Sequence, residues 1–369
     1  MNFKTKLTIF LFTIILGFSS CNTDDVASEQ NAENAVLSAT ENASTSRVGV
    51  CSEVPGWASQ NGGTTGGGTS AETAVTTYAQ LKAAIENTSV KVVKVSGTIT
   101  IPSGGRISFQ DQTGKTIYGT SGAKLVSNDQ TKAGSGIIYI KRCKNIIIRN
   151  LIFEGPGAYD TDGWDNATLD DSQNVWIDHC ESRDGVDGNF DVKNKSDYIT
   201  FSYTKFNYLK APRAGGSGGS DDHRFSNLIG SGDDATADRG KFRITFARCW
   251  WASGCKARMP RVRFGQVHII NSYFNSTASA QCVMAGKEAS IRVEKNVFEN
   301  VKTPIDLMTG FTAVTAVGNI FTNTSGNTAG KNTAFTPPYS IVTLEASAVK
   351  ADVSAGAGAT FAGNTCGSF

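Results

Sequence analysis

Apolar positions along this chain gather into seven short runs of alternating character, at 145–153, 175–182, 199–206, 244–251, 267–274, 291–298 and 314–321. Each opens with Ile, Val or Thr alternating with polar residues, the mark of a half-buried strand. Most close on an aromatic ring, and the closing position falls at 153, 182, 206, 251, 274, 298 and 321. Four of these steps are 23 or 24 residues. The two longer ones, 29 and 45, hold an Asp-rich segment and the Gly-rich stretch 214–220. A constant period with insertions confined to particular turns describes a coil whose rungs stack. At about 4.8 Å per rung, eight rungs span about 40 Å.

A leucine-rich repeat needs a Leu-x-x-Leu-x-Leu pattern, which is absent, and a propeller blade needs about forty residues. The pattern predicts an all-β fold, a right-handed single-stranded parallel β-helix. Residues 77–87, TYAQLKAAIEN, carry apolar positions at helical spacing. They are expected to form a helix that caps the N-terminal end of the coil, where a bare strand edge would invite aggregation.

The first residues have a different character. Lys4 and Lys6 precede an apolar run, Leu7 to Phe18, too short for a comfortable membrane span. The run ends in Ser19-Ser20-Cys21, as at a lipoprotein cleavage site. Residues 1–20 are therefore read as a signal peptide with Cys21 lipid-modified and membrane-anchored, ordinary secretion being the alternative. Either way the protein is expected outside the cytoplasm. Residues 21–48 are rich in Ala, Ser, Thr, Asn and Glu and hold no aromatic ring, which predicts a flexible tether. Residues 49–369 form the expected β-helix domain, read as a monomer.

Charge changes the picture through its distribution. Without Lys4 and Lys6, the 35 basic residues fall to 33, against 33 acidic. Residues 158–191 nevertheless hold ten Asp/Glu and one Arg, whereas 205–263 hold twelve Lys/Arg and five Asp. The bland explanation is two solvated faces of opposite sign. No nucleic-acid partner is expected. Seven cysteines follow Cys21, so at least one thiol stays unpaired. Cys249 and Cys255 are near enough in sequence to bridge, and Cys51 is placed to staple the N-terminal cap. The absence of a Cys-x-x-Cys pair and the presence of only three histidines argue against zinc.

Two constellations carry candidate chemistry. Asp187 and Asp191 lie four residues apart at the start of a rung, and Asp165 lies one rung earlier. On stacked rungs these acids can converge, and three carboxylates with water suit Ca²⁺, which takes hard oxygen ligands. The second is Arg258-Met-Pro-Arg261-Val-Arg263-Phe-Gly. If Val262 and Phe264 point inward, Arg261 and Arg263 share the outer face. Guanidinium groups there either pair with the aspartates or grip an anionic polymer.

In these residues the chain strongly resembles polysaccharide lyase family 1, the pectate lyases. The match runs through Asn174-Val-Trp-Ile-Asp-His-Cys180, the Asp187-x-x-x-Asp191 pair, Leu228-Ile-Gly-Ser231 and Arg258-Met-Pro-Arg-Val-Arg-Phe-Gly-Gln-Val-His268, in family order across residues 62–301. The resemblance implies that Asp165, Asp187 and Asp191 bind calcium and that Arg258 abstracts a proton. It implies substrate-binding roles for Arg263 and Lys210, and polygalacturonate as substrate, cleaved by β-elimination. Trp176, Asp178 and His179 belong to a signature read as structural. One departure is Gly163, where some relatives carry a further acid. The alternatives are a pectin lyase acting on methyl-esterified polymer without calcium, and a non-catalytic pectin-binding lipoprotein. A hydrolase would need two acids flanking the bond about 5 to 9.5 Å apart, a pair for which Asp187 and Asp191 could be mistaken.

Overall fold

Every paired strand between residues 72 and 322 runs parallel to its counterpart one rung away, in three sheets of ten, nine and eight strands. The computed structural model describes residues 54–159, 162–218 and 221–361. The chain divides into residues 1–46 and a compact unit, 47–369. The leader, the tether, Cys51 and Cys366 lie outside the described residues. The architecture is the expected right-handed parallel β-helix.

Alternation within each strand builds the core. On the ten-stranded sheet Ile148, Ile177, Phe201, Phe246, Ile269 and Val293 stand opposite one another rung by rung, all fully buried. On the nine-stranded sheet the aromatic positions seen in the sequence become a column. Phe206, Trp251, Phe274, Phe298 and Phe321 stack with centroid separations of 5.6, 4.5, 4.3 and 5.2 Å. Stacked rings add to the burial of their large apolar area, so the column rewards in-register rungs.

From residue 149 onward a two-residue turn joins these two sheets, and its first residue has positive φ: Asn150, His179, Tyr203, Arg248, Asn271, Lys295 and Gly318. The left-handed region is costly for residues with a Cβ. Only the coil's repeated geometry holds them there. The turn also accounts for His179. Its ring stands 2.9 Å from Asp178, which Arg149 and Ser202 also contact, within a buried network on the ten-stranded sheet.

The predicted cap is present as helix α1, Tyr78–Glu86, with Thr77 as N-cap and Gln80 completing a capping box. Leu81, Ala84 and Ile85 close the end of the core. The Lys115 ammonium donates to the carbonyls of Ala84, Ile85 and Asn87, at 3.1, 2.6 and 2.9 Å. It thereby satisfies the helix's C-terminal acceptors.

One segment covers the outer face of the ten-stranded sheet and a second covers that of the nine-stranded sheet. Near the N-terminus, the Trp57 and Ala58 N–H groups donate to Thr245 and Thr200, each at 3.0 Å. Near the C-terminus, helix α2 (Ala346–Gly356) packs Val349 and Val353 against Tyr203, Tyr273 and Val297. The eight-stranded sheet keeps an outer face that neither segment uses.

The cysteine expectation needs correction. Cys249 and Cys255 do not bridge; both are free thiols, as are Cys143, Cys180 and Cys282. Their sulfurs lie against different carbonyls, Cys249 beside Phe201 and Cys255 beside Phe206. They flank the short strand Trp250–Trp251, one on each side of it, and burial pushes both thiols up.

Candidate active site

Most of the candidate residues lie on or beside the eight-stranded sheet. Its strands are β1 (Ile107–Gln110), β2 (Ile138–Lys141), β3 (Ala167–Asp170), β4 (Phe190–Lys193), β5 (Leu228–Ile229), β6 (Arg261–Val262), β7 (Val283–Ala285) and β8 (Ile305–Leu307), stacked in that order. Ala167, Leu169, Phe190, Val192, Ile229 and Val262 face the core. Period-two alternation then puts Thr168, Asp170, Asp191, Lys193, Leu228 and Arg261 on the other face. Thr168 stands opposite Asp191, and Leu228 opposite Arg261.

Acids occupy the β3 and β4 rungs. Asp165, in the turn before β3, accepts from the Thr168 hydroxyl at 3.0 Å. The Lys193 ammonium lies 3.3 Å from Asp165 and 3.3 Å from Asp191. Asp191 also accepts from the Leu228 N–H at 2.9 Å. A Cβ at Gly188 would stand 2.6 Å from Asp165 Oδ1 and 3.4 Å from Asp191 Oδ1, so both oxygens border one small space beside that glycine. Burial, then the charge of Asp165, pushes the Asp191 carboxyl up to about 7. Asp187 turns aside, with Oδ1 2.8 Å from His223 Nε2. Burial works against its charge, but His223, Lys193 and Arg258 hold it below the usual carboxylate range.

Basic groups occupy the adjoining rungs. Arg258 has φ +58°, and its carbonyl accepts from the Asn227 N–H at 2.8 Å. Its guanidinium carbon lies 4.3 Å over the Phe225 ring, and among the described residues it makes no ion pair. Phe225 packs on His223, centroids 4.1 Å apart, so a chain of contacts runs from Asp187 through His223 and Phe225 to Arg258. Arg261 faces outward and is pushed down by burial, then by Arg263 and Arg258. Arg263 is nearly buried, with Nε donating to Asp233 at 2.6 Å and Nη1 to the Gly230 carbonyl at 2.9 Å.

Asp165 and Asp191 thus converge, Asp187 lies within electrostatic reach of Arg258, and the three arginines share adjoining rungs. Lys210 keeps other company. Its ammonium donates to the Gly155 carbonyl at 2.6 Å and lies 3.8 Å from Glu154, while its N–H donates to Asp184 at 2.9 Å. Sequence reasoning overlooked Lys193, which strand alternation from Asp191 predicts. It also overlooked His223 and Phe225, which sit in an insertion with no spacing signal.

The acid rungs suit a divalent cation in three respects. Asp165 Oδ1 is buried without a hydrogen-bond partner, which costs free energy unless something meets it. Asp191 resists ionising beside it. Three carboxylates and one ammonium also leave a net charge of −2. Among the described residues, however, no three His, Cys, Asp or Glu side chains close around a single point, because Asp187 is drawn to His223. The fit is to an open site, with Asp165 and Asp191 as its fixed part and Asp187 as a ligand only once it leaves His223.

A family profile described as pectate lyase matches residues 35–361. The chain is 34% identical over 372 residues to a pectate trisaccharide-lyase of Bacillus licheniformis, covering 96% of this chain and 98% of that one. It is 34% identical over 255 residues to a probable pectate lyase B of Aspergillus terreus, covering 66% and 68%. Among solved structures, a pectate lyase bound to a hexasaccharide superposes with a TM-score of 0.68 at 23% identity, covering 86% of this chain and 99% of that one.

Proposed function

This chain belongs to the pectate lyase family, and from that membership we propose that it cleaves α-1,4-galacturonan by calcium-dependent β-elimination, leaving a 4,5-unsaturated galacturonosyl end. The observation that carries the proposal is Arg258, a partly buried guanidinium held over Phe225, with no ion-pair partner among the described residues, beside a cluster of carboxylates. An arginine kept only for structure would be expected to take one of those acids.

Galacturonan carries a C5 hydrogen alpha to a carboxylate, and removing it adds charge to a group already negative. Calcium bound by Asp165, Asp187 and Asp191 would neutralise that carboxylate and make the C5 proton more acidic. Arg258 takes the proton. The electron pair left behind forms the C4–C5 double bond, the C4–O bond breaks, and the departing oxygen takes a proton from water. Arg263 stabilises the charge developing on the uronate, sharing its donors with Asp233. Lys210, on the rim beside Gly155, meets a neighbouring sugar.

A guanidinium ordinarily stays protonated to above pH 12 or so, so the assignment calls for a strongly positive setting. Arg261 and Arg263 add positive charge beside Arg258, and the activity is expected to favour alkaline conditions. The proposal places the enzyme outside the cytoplasm, secreted or lipid-anchored through Cys21, on the strength of the leader sequence.

The test is a digest of polygalacturonate with and without Ca²⁺, with products resolved by mass and ultraviolet absorbance. Unsaturated products that vanish with chelator are expected. Saturated products would mean hydrolysis, and calcium-independent cleavage of methyl-esterified polymer would mean a pectin lyase.

A further inference from the structure

Beside the acid rungs stands a feature that cation binding and proton transfer leave unused. Trp164, one residue before Asp165, is 41% exposed, and it is the one aromatic ring among the exposed large hydrophobic side chains of the described residues. Single exposed apolar side chains are ordinary. The support beneath this one is not.

The Arg106 guanidinium carbon lies 3.5 Å from the Trp164 ring centroid and 4.6 Å from that of Tyr139, whose own centroid is 6.3 Å from Trp164. Arg106 Nη1 is buried without a hydrogen-bond partner. A charged group is thus partly desolvated to back two rings, although an unmet buried donor is costly. The backbone also makes room. The Trp164 N–H donates to Ser135 Oγ at 2.9 Å. Gly136, at φ +83°, sits where a Cβ would come within 2.6 Å of Trp164 Cβ and 2.9 Å of Arg106 Cδ. One face of the indole is fixed against a cation, and much of the ring remains open to solvent.

Its position relates it to the substrate. Tyr139 stands opposite Thr168, the residue whose hydroxyl donates to Asp165. The platform therefore adjoins the carboxylates on the same outer face, on the side away from Arg258.

We propose that Trp164, backed by Arg106 and Tyr139, is a sugar-stacking subsite that takes the pyranose ring of a galacturonosyl unit beyond the one held at the acid rungs. A pyranose presents C–H bonds on its ring face, which pack on an aromatic face, and its carboxylate meets the positive potential of the guanidinium behind the ring. The inference rests on the galacturonan reading, and it explains a cation committed to a surface ring.

The experiment compares wild type, Trp164→Ala and Trp164→Phe on polygalacturonate, measuring kcat, KM and equilibrium binding. Trp164→Ala is expected to raise KM and weaken binding about tenfold, with kcat within about twofold, as loss of one stacking contact implies. Trp164→Phe should recover most of the binding. If alanine prevents folding, Trp164→Leu against Trp164→Phe reads the same split, since leucine keeps apolar bulk without a ring face. Binding that is unchanged in the alanine or leucine variant overturns the subsite, as does a loss of kcat that phenylalanine does not restore. A wild-type protein that binds polygalacturonate but never cleaves it would sink the lyase reading and leave the binding comparison decisive for Trp164.

Discussion

The Arg258 guanidinium carbon lies over the Phe225 ring, 4.3 Å from its centroid. A cation over an aromatic face is attracted by it without surrendering its hydrogen-bond donors. The ring therefore positions the guanidinium while leaving its N–H groups to the substrate. Arg258→Lys keeps a positive charge but loses the planar fork. It should lose at least about a hundredfold in kcat while still binding polygalacturonate, as steady-state kinetics and a binding titration would show. Near-normal turnover in that variant would remove Arg258 from the chemistry.

Asp165 Oδ1, buried without a hydrogen-bond partner, makes the metal question a stability question as well. A ligand that binds only the folded state stabilises it, by about 2.7 kcal/mol at a hundred times Kd. Calcium should raise the melting temperature of chelator-treated protein, and Asp165→Asn should abolish most of that rise. Calorimetry on the two proteins, with and without calcium, reads this directly. If calcium leaves the wild-type transition where it was, the cation does not bind here.

Lys115 closes the capping helix by donating to three carbonyls at its C-terminal end. Lys115→Met keeps much of the stem volume and leaves those acceptors unmet, at a cost of about 3 kcal/mol. Chemical denaturation should show the loss as an earlier midpoint. A neutral result would mean that water reaches the helix end.

Glu294 sits on the ten-stranded sheet, with His268 Nε2 at 3.4 Å and Arg292 Nε at 2.6 Å. The His268 hydrogen bond, against the cost of burial and with help from Arg292, pulls its carboxyl down to about 2. Burial pushes His268 itself down, favouring the neutral ring, whose Nδ1 lies 3.1 Å from the Tyr339 hydroxyl. A carboxyl lowered in the folded state contributes stability above its unfolded value, about 4.3, and that contribution fades as pH falls toward 2. Arg292→Met should therefore move the acid-unfolding midpoint to higher pH, followed by tryptophan fluorescence. No movement would show the pair to be screened by solvent.

Much of this protein could be read from one-dimensional order. The 23–24-residue spacing that joins Trp251, Phe274, Phe298 and Phe321 is a stacked aromatic column, which Phe206 extends across a 45-residue step, because a coil converts a sequence period into a vertical line. Thr77 and Gln80 mark the start of the capping helix because a capping box is local chemistry. Asp191 and Arg261 face outward because alternation within a strand admits no other choice once Val192 and Val262 are inside.

Contacts that join distant turns followed no such rule. The pairing of Asp187 with His223, the seat of Arg258 on Phe225, the hold of Asp233 on Arg263 and the place of Lys210 beside Gly155 all depend on how insertions of irregular length fold back over the sheet. The separation of Cys249 from Cys255 likewise depended on which carbonyl each sulfur met. Strand periodicity is set by each residue's nearest neighbours and survives translation into space. Loop placement is settled by packing against residues tens of positions away, and the pattern along the chain carries no record of it.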